Sequence, residues 1–198
     1  MKSIEVKGTA RTTTGKKACR DIRKAGAVPC NLYGEAKDEK GLPVAMSFTA
    51  TQEELRKLVY SPEIYSVNLN IDGKECKAIM KELQFHPVTD RLLHVDFYEI
   101  TETKPIVMEV PIKLNGLAEG VKAGGKLAAN VRKLKVSAPY TQIPERLDID
   151  VTNLGLGKTI KAGELHFEGL ELVTPASVVV CQVKMTRSAM SAAAKAQD

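Results

Sequence analysis

The stretch IYSVNLNIDGKECKAIMKELQ, residues 64–84, decides the fold of the N-terminal half of the chain. Apolar and polar residues alternate approximately along residues 64–71, and this spacing favours a half-buried strand. Asp72 and Gly73 follow, and this dipeptide is the strongest short signal for a tight turn between paired strands. Residues 74–84 are therefore predicted to return as the partner strand of an antiparallel hairpin.

Four further strands are predicted around this hairpin. Their ranges are 2–7, 28–34, 42–48 and 92–100. The charged segment 35–41 suits a loop between two of them. Together with the hairpin, these segments give about six short strands, and that number predicts a small mixed β-barrel.

Two short helices accompany the predicted barrel. The segment KKACRDIRKAG, residues 16–26, places Ala18, Ile22 and Ala25 on one helical face, and Gly26 is placed to end the helix. A second helix is predicted after Thr51, which forms a capping box with the glutamate three residues later. The first of these helices presents its lysines and arginines away from the apolar face.

The second half of the chain is predicted to be a separate β-rich domain. Polar residues and a proline at 102–105 mark the boundary. Strands are predicted near 106–114, 131–138, 146–151 and 177–185, mostly antiparallel. The fold class is thus mainly β, with a barrel domain over 1–100, a β-domain over 101–185 and a flexible tail over 186–198.

Positive charge is concentrated at the amino terminus. The net charge of the chain is +5, yet residues 1–24 hold eight lysines or arginines against Glu5 and Asp21, which gives +6 for this segment and −1 for the remainder. A local positive field suits a polyanionic partner. A solvated cationic surface without a ligand explains the charge pattern alone equally well.

Several functional classes receive no support from the sequence. The N-terminus lacks the apolar run of a signal peptide, and no stretch approaches the roughly 20 apolar residues of a membrane helix, so we expect a cytoplasmic protein with no membrane partner. The four cysteines lack metal-ligand spacing and are interpreted as reduced packing residues. The glycines of residues 120–125 lack the ending of a phosphate-binding loop and are interpreted as flexible β-turns. No motif predicts a cofactor.

Three blocks of sequence carry a resemblance to a known family. They are ARTTTGKKACRDIRKAGAVPCNLYG at residues 10–34, LQFHPVTDRLLHVDF at residues 83–97, and VPIKLNGLAEGVKAGGKL at residues 110–127. In this order they resemble the bacterial large-subunit ribosomal protein L twenty-five family in its long, two-domain form, also called the general stress protein Ctc. The resemblance spans about residues 3–185.

The resemblance implies both a fold and a ligand. The fold is an N-terminal barrel similar to the anticodon-binding barrels of a tRNA synthetase, followed by a β-rich C-terminal domain. The ligand is an irregular internal loop of 5S ribosomal RNA, bound by the N-terminal domain within the large ribosomal subunit. For the C-terminal domain, both a neighbouring ribosomal protein and a neighbouring RNA stay open as partners, because no motif selects one of them.

The resemblance also implies which residues contact the RNA. By position they are Arg11, Lys16, Arg20, Tyr33, Gln84, His94 and Asp96, and the charge pattern adds Lys17 and Arg23. Cations can neutralise phosphates, a glutamine can both donate to and accept from a base edge, and a carboxylate can accept from a base amino group or a 2′-hydroxyl. Two positions depart from the family pattern: Cys19 stands where serine is common, and Asp21 stands where a basic residue is frequent.

Two other functions remain open at this point. His94 and Asp96 lie two residues apart on a predicted strand and share a face, so they could form a hydrolytic pair, although no nucleophile motif accompanies them. Alternatively, the chain could be a stress-response module whose main partner is a protein. We expect a non-catalytic RNA-binding protein of the ribosome.

Overall fold

The computed structural model describes residues 2–34, 44–101 and 104–187. The chain divides into two compact units, Met1–Lys104 and Pro105–Asp198. Strands predominate in both units, so the prediction of a mainly β protein is confirmed. The loop predicted over 35–41 and most of the predicted tail lie outside the described residues.

The first unit is a closed barrel of six strands with two helices. The strands are β1 (Lys2–Ala10), β2 (Ala27–Tyr33), β3 (Met46–Thr51), β4 (Tyr65–Ile71), β5 (Lys74–Phe85) and β6 (Leu92–Glu99), and the helices are α1 (Lys16–Lys24) and α2 (Gln52–Tyr60). Their order around the barrel is β1-β3-β2-β6-β5-β4, and β4 pairs again with β1. The pairs β1–β4 and β2–β6 are parallel and the others antiparallel, which confirms the predicted mixed barrel.

The hairpin of residues 64–84 forms as its sequence predicts. Asp72 and Gly73 have φ angles of 49° and 87°, the left-handed conformation that both central residues of a tight I′ turn require. The turn is supported by Asn70, whose side-chain oxygen accepts the Gly73 amide at 3.1 Å. On β4, Val67 and Leu69 are buried and their sequence neighbours are more exposed, so the alternation in the sequence corresponds to the two faces of the barrel wall.

The barrel interior is filled by aliphatic side chains around two phenylalanines. Phe48 and Phe97 are completely buried, and their ring centroids lie 5.7 Å apart. On β6, Val95 and Phe97 point into this interior. Because side chains alternate along a strand, His94 and Asp96 lie on the outer surface of the barrel.

Two local predictions in this unit need correction. Helix α1 spans Lys16–Lys24, and Ala25 after it is exposed instead of sharing the apolar face. Gly26 follows with a φ of 80°, which fits its predicted role in ending the helix. The strand predicted over 42–48 begins at Met46. In each case the difference is at an element's end, where the hydrophobic pattern is weakest.

The second unit contains two small sheets. Its elements are β7 (Pro105–Asn115), α3 (Glu119–Lys122), β8 (Lys126–Ala129), β9 (Lys133–Pro139), β10 (Leu147–Asp150), β11 (Thr159–Lys161), a 3-10 turn (Ala162–Glu164), β12 (Glu171–Leu172) and β13 (Val179–Lys184). One sheet has the order β10-β7-β9-β12 and the other β11-β13-β8. Pairing is antiparallel except between β10 and β7, so the unit is mostly antiparallel as predicted.

The glycines of residues 120–125 have two roles: one allows close packing of the backbone, and another lies in a turn. Gly120 lies inside α3 and is buried, and a Cβ at this position would come within 2.6 Å of the Gly155 carbonyl carbon. The interpretation of this residue as a flexible β-turn is therefore wrong. Gly124 follows the helix with a φ of 90°, where a side chain would be strained.

Candidate RNA interface

Helix α1 lies against β2 on the outside of the barrel. Three side chains, Ala18, Cys19 and Ile22, are half-buried beneath it. Its remaining residues are exposed, including the cations Lys16, Lys17 and Arg20. The amphipathic pattern thus orients the helix so that the predicted phosphate-binding cations face solvent.

Arg11 connects this helix to the barrel. It follows the end of β1 directly, and its backbone amide donates to the Ser47 carbonyl at 3.0 Å. Its Nη1 donates to the Cys19 Sγ at 3.4 Å and its Nη2 donates to the Asn31 Oδ1 at 3.4 Å. Its Nε is buried without a hydrogen-bond partner among the described residues. The guanidinium is therefore occupied within the protein, at the junction of α1 and β2.

Arg23 makes a second connection, at a β-bulge. The register of β5 and β6 pairs Gln84 with His94 and Phe85 with Leu92, which leaves Leu93 as the extra residue. The Arg23 Nε donates to the Leu93 carbonyl oxygen at 3.0 Å. The last turn of α1 is thereby bonded to β6 beside the predicted contact residue His94.

The outer surface of β2, β6 and β5 brings the other predicted contacts together. Strand β6 lies between its two neighbours: Asp96 is paired with Asn31 of β2 on one side and with Glu82 of β5 on the other. Tyr33 is paired with Tyr98, and their rings form an edge-to-face contact with centroids 5.8 Å apart. A row of polar side chains therefore crosses three strands.

Charge is not uniform across this surface. The cations are on α1, whereas the carboxylates Asp96 and Glu82 are adjacent on the strands. Arg20 is 66% exposed, and its Nε lies 3.9 Å from the carboxylate of Asp21. An exposed ion pair of this kind contributes little to stability, so Arg20 can exchange Asp21 for another anion at small cost.

His94 is neutral in the folded protein at neutral pH. Its Nδ1 lies 3.6 Å from the Asp96 Oδ1, too far for a hydrogen bond. Burial, the largest effect, lowers the pKa of His94. The Asp96 carboxylate raises this pKa and the Arg11 and Arg23 guanidiniums lower it, with a net lowering. The pair thus lacks the short, charge-assisted contact of a catalytic dyad.

This lowered pKa predicts a loss of stability in acid. The imidazole of an unfolded chain has a pKa of about 6.5, so below that value the unfolded state binds more protons than the folded state. We expect the free energy of unfolding of the barrel to fall as the pH drops from about 6.5 toward the lower pKa of folded His94. Urea titrations near neutral pH and at about pH 5.5, followed by the amide signals of the barrel, measure this effect.

Replacing the imidazole supplies the control. His94→Gln should reduce the pH dependence in this window, whereas His166→Gln, an exposed histidine of the second unit, should leave it unchanged. An unaltered pH dependence in His94→Gln would contradict the assignment of a half-buried, neutral imidazole.

We refer to α1 together with the outer surface of β2, β6 and β5 as the α1–β6 surface. It brings together every predicted contact residue: Arg11, Lys16, Lys17, Arg20, Arg23, Tyr33, Gln84, His94 and Asp96. It also contains residues that the sequence analysis missed, namely Asn31, Glu82 and Tyr98. These residues alternate with buried residues on predicted strands, and this alternation is the sequence signal that could have placed them on the outer surface.

Other kinds of site receive no support from the described residues. Within ranges 2–34, 44–101 and 104–187, no three histidine, cysteine or acidic side chains are grouped to hold a metal ion. The four cysteines are free thiols, and burial raises the pKa of Cys30 to about 12, which keeps it protonated. None of the helices in those ranges combines the length and apolar character needed to cross a membrane.

Two family models match the chain in succession. The Ribosomal L25p family matches residues 6–97, and the Ribosomal protein TL5, C-terminal domain family matches residues 105–187. The first match covers the barrel and the second covers the two-sheet unit.

Full-length relatives agree with these matches. The chain is 65% identical over 196 residues to the large ribosomal subunit protein bL25 of Phocaeicola vulgatus, with 99% of each chain covered. It is 59% identical to the protein of the same name from Bacteroides thetaiotaomicron, with 99% of each covered, and 54% identical to that of Porphyromonas gingivalis, with both chains fully covered. These are structural proteins of the ribosome rather than enzymes, so the hydrolase alternative is wrong. The chain belongs to the ribosomal L25p family, in the two-domain form that carries the TL5 C-terminal domain.

Proposed function

We propose that this protein is a structural constituent of the large ribosomal subunit that binds 5S ribosomal RNA through its α1–β6 surface. The observation that carries the proposal is the position of a cationic helix beside a polar row on three strands of the barrel. This position supplies two different kinds of RNA contact side by side. The role would place the protein on ribosomes in the cytoplasm.

The cations of α1 suit the phosphate backbone. Lys16, Lys17 and Arg20 are exposed on one helix, and their attraction to RNA would be strengthened by release of condensed counterions. An arginine can also fork onto two phosphate oxygens or onto the paired acceptors of a guanine. The RNA backbone is therefore proposed to pass over α1.

The strands suit base edges and ribose hydroxyls. The neighbouring carboxylates of Asp96 and Glu82 repel phosphates, but they can accept from a base amino group or a 2′-hydroxyl. Gln84 is exposed beside them and can both donate and accept. The neutral imidazole of His94 likewise offers one donor and one acceptor. Such a surface distinguishes a folded RNA with accessible base edges from a regular duplex.

Arg11 and Arg23 are proposed to act mainly by positioning α1. The Arg11 guanidinium is bonded to Cys19 and Asn31, and the Arg23 Nε is bonded to the Leu93 carbonyl. These bonds hold the helix at a fixed angle to the strands. Pre-positioning reduces the entropy that would otherwise be lost on binding.

The proposal predicts salt-sensitive binding that depends on Arg20. If about five phosphates are neutralised, the logarithm of affinity for a 5S transcript should fall with the logarithm of salt at a slope on the order of −3 to −4.5. Arg20→Ala should weaken binding by about 1 to 3 kcal/mol and reduce the slope by about one, without changing stability. Filter binding across a salt series measures both quantities.

Arg56→Ala is the matched control, because Arg56 is an exposed arginine on the other helix of the same barrel. It should leave the affinity for the transcript unchanged. The proposal would be contradicted if folded protein did not bind the 5S transcript at low ionic strength. It would also be contradicted if the two arginine variants lost the same affinity for the transcript. The first result would favour the alternative of a protein-binding module.

A further inference from the structure

The second unit carries a cluster of cations that the proposed 5S contact does not use. The segments 120–130 and 178–187 contain Lys122, Lys126, Lys184 and Arg187 and no carboxylate. All four side chains are exposed. We call this set the C-terminal basic cluster.

The topology brings these two segments together. Strands β8 and β13 pair antiparallel, and Lys126 is directly opposite Lys184 in the register. Beyond the strands, the Thr186 hydroxyl donates to the Gly124 carbonyl oxygen at 2.6 Å, which holds the segment leading to Arg187 beside the turn that follows α3. The four cations therefore lie at one end of the β11-β13-β8 sheet.

The placement of Lys126 and Lys184 is unfavourable for the isolated protein. Like charges on directly opposed residues of an antiparallel pair destabilise a sheet. In the part of the chain that the structure describes, neither lysine has an ion-pair partner. The other sheet differs, because there the Lys135 Nζ lies 3.9 Å from the Glu109 carboxylate. An external anion would relieve the repulsion at the first sheet.

The residues beside the lysines on the same sheet face are a short side chain and an amide. Ala128 follows on the same face of β8, and Gln182 on the same face of β13 donates from its Nε2 to the Asn130 Oδ1 at 3.1 Å. Short side chains allow close approach of a rigid anionic backbone, and the Gln182 and Asn130 amides retain further hydrogen-bonding capacity. A row of anions fits this surface better than a single small ion.

We propose that the C-terminal basic cluster is a second RNA-binding surface, which contacts the phosphate backbone of an RNA duplex. It acts independently of the α1–β6 surface and contributes affinity without reading sequence. Phosphates suit it because two adjacent lysines and an arginine can each neutralise a backbone charge and release counterions.

The test uses the full chain and a short fluorescent RNA duplex of mixed sequence, with affinity measured by anisotropy across a salt series. The double variant Lys126→Gln/Lys184→Gln should bind about tenfold more weakly at low salt, and the slope of log affinity against log salt should fall by about two. The control, Lys113→Gln/Lys133→Gln, removes the same charge from exposed lysines of the other sheet and should retain the parent affinity.

Further measurements separate this proposal from the first one. The loss caused by the Lys126/Lys184 substitutions should be equally large in an Arg20→Ala background, so a failure of 5S binding leaves this result interpretable. The variant should unfold at the same temperature as the parent or slightly above it, because the repulsion is removed. The proposal would be overturned if the two lysine-pair variants lost the same affinity for the duplex, or if neither lost any. It would also be overturned if the loss of affinity disappeared in the Arg20→Ala background. Competition with polyglutamate provides a last check. If polyglutamate displaced the labelled duplex as effectively as unlabelled duplex does, the partner of the cluster would be an acidic protein and the proposal would be overturned.

Discussion

Phe97→Ala is expected to destabilise the N-terminal barrel by about 3 to 5 kcal/mol. The ring is completely buried and packs against Phe48, so its removal leaves a cavity in a closely filled interior. A domain of this size has a total stability of only about 5 to 15 kcal/mol, so the barrel should be partly unfolded under mild denaturing conditions. Urea titration followed by the amide signals of the barrel measures the loss.

Val88→Ala provides the comparison, because Val88 is 83% exposed in the turn between β5 and β6. It should change stability by less than about 0.5 kcal/mol. Since Phe97 lies between Asp96 and Tyr98 on β6, the affinity for a 5S transcript should decline only as far as the folded fraction declines. A Phe97→Ala protein with near-parental stability would show that the interior re-packs around the missing ring.

Arg11→Ala is expected to reduce both stability and RNA affinity. The substitution removes the hydrogen bonds to Cys19 and Asn31 that fix α1 against the barrel. Bonds from a charged donor contribute about 1.5 to 3 kcal/mol, and both of these are long, so we expect a loss of about 2 kcal/mol. Hydrogen exchange should accelerate in α1 before it does in the strands. Affinity for the 5S transcript should fall roughly tenfold or more as the helix loses its fixed position.

The salt dependence distinguishes positioning from direct contact. If Arg11 acts through α1, the Arg11→Ala slope of log affinity against log salt should remain that of the parent, whereas a lost phosphate contact would reduce it by about one. Arg91→Ala, which removes an exposed arginine from the turn before β6, should alter neither stability nor exchange in α1. A reduced slope with normal exchange would make Arg11 a direct phosphate ligand.

The barrel strands were predictable because each contains a clear two-residue period or a strong turn signal. The strands that the sequence analysis missed have neither a two-residue period nor a strong turn signal. Strand β12 has two residues, β11 has three, and β8 has one large apolar side chain, Leu127, so no period can be detected. These strands form because longer neighbours, β9 and β13, provide partners for their backbone groups. Tertiary pairing, not local sequence, determines them.

The candidate site was predictable in its charges but not in its internal bonds. The cationic helical face could be read from residues 16–24, and the outward position of His94 and Asp96 followed from strand alternation. The bonding of Arg11 to Cys19 and Asn31 could not be foreseen, because it depends on how a helix packs across strands that are distant in sequence. The same holds for the bulge at Leu93, which is visible only in the register of paired strands.

The closure of the barrel limits how the first unit can evolve new partners. Since β1 is paired with both β3 and β4, the circuit of strands has no open margin to which a foreign strand could add. Recognition must then be carried by side chains that project from the wall or from α1. Substitutions there can redirect binding while the hydrogen-bonded framework beneath them stays the same.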